Sequence, residues 1–154
     1  MAAKKKSWTE KLLDAKDLPR VVDLSKTNSR WGKGTMYIPA PVEVDALMKK
    51  VKKGKLTTIN NIRKKLATTH HTDIACPLTT GIFSWIAANA ANEREQSGKK
   101  SVTPYWRTLK EKGIINPKYP GGETLQKKIL ESEGFKVTRK GKHWIVQDFE
   151  KFLS

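Results

Sequence analysis

The stretch Gly54-Lys-Leu-Thr-Thr-Ile-Asn-Asn-Ile-Arg-Lys-Lys-Leu-Ala67 decides the fold, together with Gly81-Ile-Phe-Ser-Trp-Ile-Ala-Ala-Asn-Ala-Ala-Asn-Glu93 beyond the connector 68–77. In the first piece Thr57 or Thr58 caps a helix over 59–67, with Ile59, Ile62 and Leu66 recurring at helical spacing. In the second, Thr79 or Thr80 caps a helix over roughly 81–93. Ser84, Asn89 and Asn92 are expected on its outer side, among small alanines. Downstream, segments 135–139 and 143–147 flank Lys140-Gly-Lys142 and read as a hairpin. Two helices joined by a turn and followed by a hairpin outline a winged helix-turn-helix. In that arrangement the second helix enters a groove and its capping turn holds a phosphate.

Working outward, Val44, Leu47, Met48 and Val51 form one stripe of a helix over 42–51, with Pro41 in its first turn. Leu125, Ile129 and Leu130 do the same for a helix over 123–134 that stops at Gly134. A short helix closes the chain at 148–153. Before residue 41 the signals are weaker. Ser7 caps a short helix over 8–15, Val21 and Val22 start a strand, and Met36-Tyr-Ile-Pro-Ala-Pro41 is extended because each proline disfavours the helical region in the residue before it. The expected fold class is α+β and mainly helical. Residues 1–40 form a basic tail and an extended N-terminal arm wrapped on the core, and residues 41–154 form the winged helix-turn-helix domain with its C-terminal hairpin.

Charge supplies the partner class. The 154 residues carry 31 Lys+Arg against 15 Asp+Glu, a formal net charge of +16. That excess opposes self-association, so a monomer is expected, and it favours a polyanionic partner. A hydrophobic fraction of 37% with 5 Trp excludes a disordered polybasic tail. No apolar run approaches the ~18 residues of a membrane span, and residues 1–7 lack the apolar stretch of a secretory signal. The single cysteine, Cys76, fits a reducing compartment. The expected location is cytoplasmic, with the nucleoid in a prokaryote. The basic residues cluster on the motif and its flanks: Lys55, Arg63 and Lys64, then Lys99, Lys100 and Arg107, then Arg139 on the hairpin. They are expected to contact phosphates of double-stranded DNA, with Thr58, Thr80 and Asn89 positioning the backbone. Neutralising ~5 phosphates predicts a log–log salt slope near −4.5. The second candidate helix lacks the Arg and Gln residues that read base edges, so contact along the minor groove with weak sequence preference is expected.

Five pieces then occur in register: Gly54-Lys-Leu-Thr-Thr58, Ala87-Ala-Asn89, Pro104-Tyr-Trp-Arg107, Pro120-Gly-Gly122 and Leu130-Glu-Ser-Glu-Gly134. Their order resembles the DNA-binding domain of the O6-alkylguanine-DNA alkyltransferases over about residues 42–135. The chain is also similar to small proteins grouped beside those enzymes, which share the Trp31-Gly and Pro39-Ala-Pro41 arm. The enzymes carry Pro-Cys-His-Arg, with the Cys as nucleophile and the His as base. Here Tyr105 and Trp106 stand at those two positions, while Glu133 matches the glutamate of the enzymes' relay. A glutamate without thiol and imidazole activates no nucleophile. The resemblance therefore implies the alkyltransferase-like branch, whose members bind alkylated guanine without repairing it and flag it for excision. It implies a non-catalytic DNA-repair role, nucleotide-excision repair proteins as partners, and a lesion pocket of Tyr105, Trp106 and Glu133. The family's base-flipping tyrosine matches Ile59 and its arginine finger about Thr80.

Two alternatives accompany this reading. One is an active alkyltransferase with Cys76 as a relocated nucleophile, lowered in pKa by a helix N-terminus and served by His70 or His71. The bland counterpart is a buried, inert thiol, which free cysteines usually are. The other is a general DNA- or RNA-binding architectural protein without lesion recognition. No cofactor is expected. No metal site is expected either, because His70, His71 and Cys76 lack a fourth ligand at a recognised spacing.

Overall fold

Capping chemistry sets most of the element boundaries. The computed structural model describes residues 6–26 and 32–154; Trp31 and the first five residues of the basic tail lie outside the described residues. Helix α1 (Trp8–Leu13) opens on a capping box in which Ser7 and Glu10 satisfy each other's backbone. Strands β1 (Arg20–Asp23) and β2 (Thr35–Ile38) follow. Helix α2 (Pro41–Lys49) starts at the proline, and the Glu43 carboxylate accepts the Ala40 N–H at 2.9 Å. The two-residue strand β3 (Thr57–Thr58) runs into α3 (Ile59–Thr69), whose cap is Thr58 accepting the Asn61 N–H at 3.0 Å. Then come β4 (Ile74–Ala75), the 20-residue α4 (Pro77–Gln96), β5 (Thr108–Leu109), α5 (Gly122–Ser132) and the hairpin β6 (Val137–Lys140) and β7 (His143–Val146). The closing segment is a 3-10 turn, Phe149–Phe152, rather than an α-helix.

The strands make three small sheets. β1 lies antiparallel to β2, and β4 lies parallel on the other edge of β2. β3 pairs in parallel with β5, with Thr57 opposite Thr108 and Thr58 opposite Leu109. That pairing fixes the segment 104–107 beside the start of α3. The hairpin is its own antiparallel pair.

The principal core collects Val44 and Met48 from α2, Ile62 and Leu66 from α3, and Ala87, Ala88, Ala90 and Ala91 from α4. The alanines therefore face inward, where their small size lets the other helices approach α4 closely; they are not an outer surface. Leu12 of α1 and Tyr37 of β2 belong to the same core. The N-terminal arm thus contributes buried side chains, each worth about 1.5–3 kcal/mol. A second core joins Leu56, Leu109, Ile115, Leu130, Phe135, Val137 and Val146 beneath the hairpin. Trp106 packs against both cores and ties them together.

Helix α4 begins at Pro77, with Cys76 as the residue before its first turn, and not near residue 81 after a threonine cap. Proline at the first helical position has its torsion preset and needs no hydrogen-bond partner for a missing N–H. That extra turn brings Leu78 onto the helix, on the same side as Ile82 and Trp85.

Candidate nucleic-acid interface

With α4 starting at Pro77, its solvent side is the strip Leu78, Ile82 and Trp85, spaced four and three residues apart. Leu78 and Ile82 are each 51% exposed and Trp85 37%. Together with Lys110, Asn116 and Lys118 they line a groove of about 600 Å³. The Trp85 indole N–H donates to the Lys118 carbonyl at 3.2 Å, which fixes the ring against the loop before α5. On its other side Trp85 meets Trp8 edge-on, with ring centroids 4.8 Å apart. Sequence reading left Leu78 outside the helix by starting it near residue 81, and missed Ile82 and Trp85 as outer residues because it placed the small alanines on that side. Pro77 as first residue was the available signal.

The threonines and Asn89 serve the fold. Thr80 is fully buried and its hydroxyl donates to the Cys76 carbonyl at 2.7 Å. Its side chain is spent within the helix, where a backbone-positioning contact was expected. Thr58 is buried as the cap of α3. Ser84, expected outside, is buried and donates to the Gly81 carbonyl. The Asn89 amide donates to the Trp85 carbonyl at 2.9 Å inside its own helix, and not to the 104–107 turn. Ile59 is half-buried at the first turn of α3.

The segment matching the enzymes' motif is a 3-10 turn, Tyr105–Arg107. Tyr105 is only 3% exposed, with its ring edge-on to Trp106 at 5.3 Å and to Tyr119 at 5.7 Å. Burial, with the Glu95 charge, raises its phenol further from ionisation. It packs inside the core, where the expectation had it facing an extruded base. Trp106 donates its indole N–H to Glu133 at 3.0 Å. Arg107 grips both Glu133 oxygens, at 2.9 and 2.7 Å, and gives a third N–H to the Val51 carbonyl at 2.8 Å. The guanidinium thus makes three hydrogen bonds within the protein, while Arg107 also lines the cleft formed with Lys52, Lys99 and Lys100. Burial pushes the Glu133 carboxyl up, but the Arg107 and Trp106 hydrogen bonds and the Arg107 and Lys53 charges outweigh it, and its pKa lies below the usual value. Tyr105, Trp106 and Glu133 are brought together, with Tyr105 buried and Trp106 reaching the wall of a cleft.

The basic residues divide in the same way. Arg63 donates to the Ala75 carbonyl at 2.9 Å and to Asn60, tying α3 to β4. Lys55 and Lys64 are exposed. Lys99 and Lys100 are exposed and join Lys49 and Lys52 around a cleft of about 660 Å³, with Trp106 on its wall. Arg139 is exposed on the hairpin and donates to the Gly141 carbonyl at its tip. Lys118, beside α4, was not singled out by sequence.

Cys76 packs with Leu24, Met36 and Ile38 at the edge of the three-stranded sheet, and its N–H donates to the Tyr37 carbonyl at 2.9 Å. The thiol is buried, so no substrate reaches it in this conformation. His70 is elsewhere engaged: it stacks on Tyr37 at 3.9 Å and meets Glu43 at 3.3 Å. Among the described residues no three His, Cys, Asp or Glu side chains group closely enough to hold a metal ion. Among the same residues no helix is long and apolar enough to cross a membrane.

No protein-family model matches the sequence, and no curated protein matches it. Two solved structures do resemble it in fold: S. pombe Atl1 in complex with damaged DNA containing O6-carboxymethylguanine, and S. pombe ATL in complex with DNA. Each has a TM-score of 0.52 at 16% identity, and each match covers 74% of this chain and 93% of the other. Over those 74% of its residues, the chain has the fold of S. pombe Atl1.

Proposed function

We propose that this protein binds double-stranded DNA without performing chemistry on it, at alkylated or otherwise damaged bases. The observation that carries the proposal is the state of the Tyr105–Arg107 turn. On a fold whose solved relative holds damaged DNA, the nucleophile position is a buried phenol and the base position is an indole bonded to Glu133. In this reading residues 41–154 act as a winged helix-turn-helix, with α3 and α4 as its two helices and the β6–β7 hairpin as its wing. Residues 1–40 act as the arm that braces α4. Lys55, Lys64, Lys99, Lys100 and Arg139 supply phosphate contacts. DNA marked in this way is then open to excision-repair proteins.

A second reading, duplex binding with no lesion preference, is favoured by the burial of Tyr105, whose ring packs inside the core. Weighing the intact protein after saturation with O6-methylguanine duplex tests the absence of chemistry. The reading expects unchanged mass together with binding by fluorescence anisotropy. A mass gain of one methyl on Cys76 overturns it.

A further inference from the structure

Three features on and beside α4 are not explained by contacts among the described residues. Leu78 and Ile82 project one turn apart with half their surface in water, on a helix whose other sides are packed. Between them sits Gly81, which has no positive φ and where an added Cβ meets nothing within 4 Å. Glycine weakens a helix relative to alanine, and neither backbone torsion nor packing requires it here. A missing Cβ on an outward face permits close approach by something outside the molecule. The third feature is charge. The groove beside this strip has Lys110 and Lys118 at its rim and no carboxylate among its lining residues.

An occupant must therefore offer flat apolar surface close to negative charge. The base-pair stack of duplex DNA does this, with stacked faces inside and phosphates about the edge. We propose that Leu78 and Ile82 form an aliphatic wedge that enters one base-pair step from the minor groove. Gly81 lets the α4 backbone sit against a sugar, and Lys110 and Lys118 take the flanking phosphates. Aliphatic wedges of this kind unstack a step and kink the duplex. The inference rests on the DNA-binding reading above. It assigns opening of the stack to residues other than Ile59 and Thr80, the positions matching the family's tyrosine and arginine, and Thr80 is buried.

The test uses short duplexes with 2-aminopurine at successive positions, read by fluorescence alongside anisotropy. The double variant Leu78→Ser, Ile82→Ser is compared with wild type; both sites are exposed, and a thermal melt verifies folding. Wild type is expected to raise the 2-aminopurine signal about severalfold as one base unstacks. The double variant is expected to lose that rise while its affinity falls by no more than about tenfold, because phosphate contacts dominate binding. Wild-type binding without a fluorescence rise, or a rise that survives in the double variant, overturns the wedge and leaves DNA binding intact. Failure of wild type to bind any duplex overturns the DNA-binding reading itself. A wild-type dimer that the double variant converts to monomer assigns the strip to a second copy of the chain and also overturns the wedge.

Discussion

The indole N–H of Trp106 points at the Glu133 carboxylate, 3.0 Å away, while Arg107 closes on the same carboxylate from the other side at 2.7 Å. Three N–H donors from two adjacent residues thus converge on one buried anion. The motif that resembles a catalytic centre has become a structural clasp between the Tyr105–Arg107 turn and the end of α5.

Replacing Glu133 by Gln leaves the Arg107 guanidinium, 13% exposed, without its counter-charge. Breaking one side of a buried pair removes about 3 kcal/mol. Glu133→Gln is expected to lower the urea midpoint accordingly, while the folded fraction binds DNA as wild type does. An unchanged midpoint contradicts the clasp.

The same carboxylate makes stability depend on acid. Its folded pKa lies below its ordinary 4.5. Its contribution is therefore complete above about pH 5 and is lost as the pH falls through the depressed folded value. Wild type is expected to lose more stability than Glu133→Gln between about pH 5 and pH 3. Parallel curves for the two proteins contradict the assignment.

Glu93 anchors the arm. Its carboxylate accepts the Trp8 and Thr9 N–H groups at 3.0 and 3.1 Å, holding α1 where Trp8 meets Trp85. Removing such a terminal acceptor costs about 1 kcal/mol. Glu93→Ala is expected to lower the melting temperature slightly and shift tryptophan emission to the red as Trp8 meets water. Unchanged emission would show that the arm is held by packing alone.

Gly81→Ala separates folding from binding. An alanine fits the open space at 81 and favours helix, so stability is expected to rise by about 0.5–1 kcal/mol. Duplex affinity is expected to fall, because the Cβ stands between α4 and the nucleic acid. A variant that is both more stable and equally tight contradicts a ligand against this face.

Much of the fold was readable from residue spacing. The stripes at Val44–Met48 and Ile62–Leu66, the Thr58 cap and the Lys140-Gly141 turn all depend on neighbours within a few residues, and the structure agrees. The pairing of β3 with β5 joins residues 51 positions apart through two residues each, and no local pattern announces it. The site was less legible for the same reason. Whether Arg107 meets phosphate or Glu133, and whether Tyr105 faces outward or Tyr119, is decided by α5 and its preceding loop. The start of α4 at Pro77, ahead of Thr79 and Thr80, adds Leu78 to its outer strip. Ile82 and Trp85 belong to the helix from either start, and that the alanines face inward while these two face out is decided by the packing of α2 and α3 on α4, which no local pattern announces.

The most direct measurement compares affinity for two duplexes identical except for one O6-alkylguanine, by anisotropy at two salt concentrations. Damaged-base recognition predicts tighter binding to the lesion duplex at both salts by about tenfold, or ~1.4 kcal/mol, with both affinities falling steeply as salt rises. Equal affinities at both salts contradict it and leave a general duplex-binding protein.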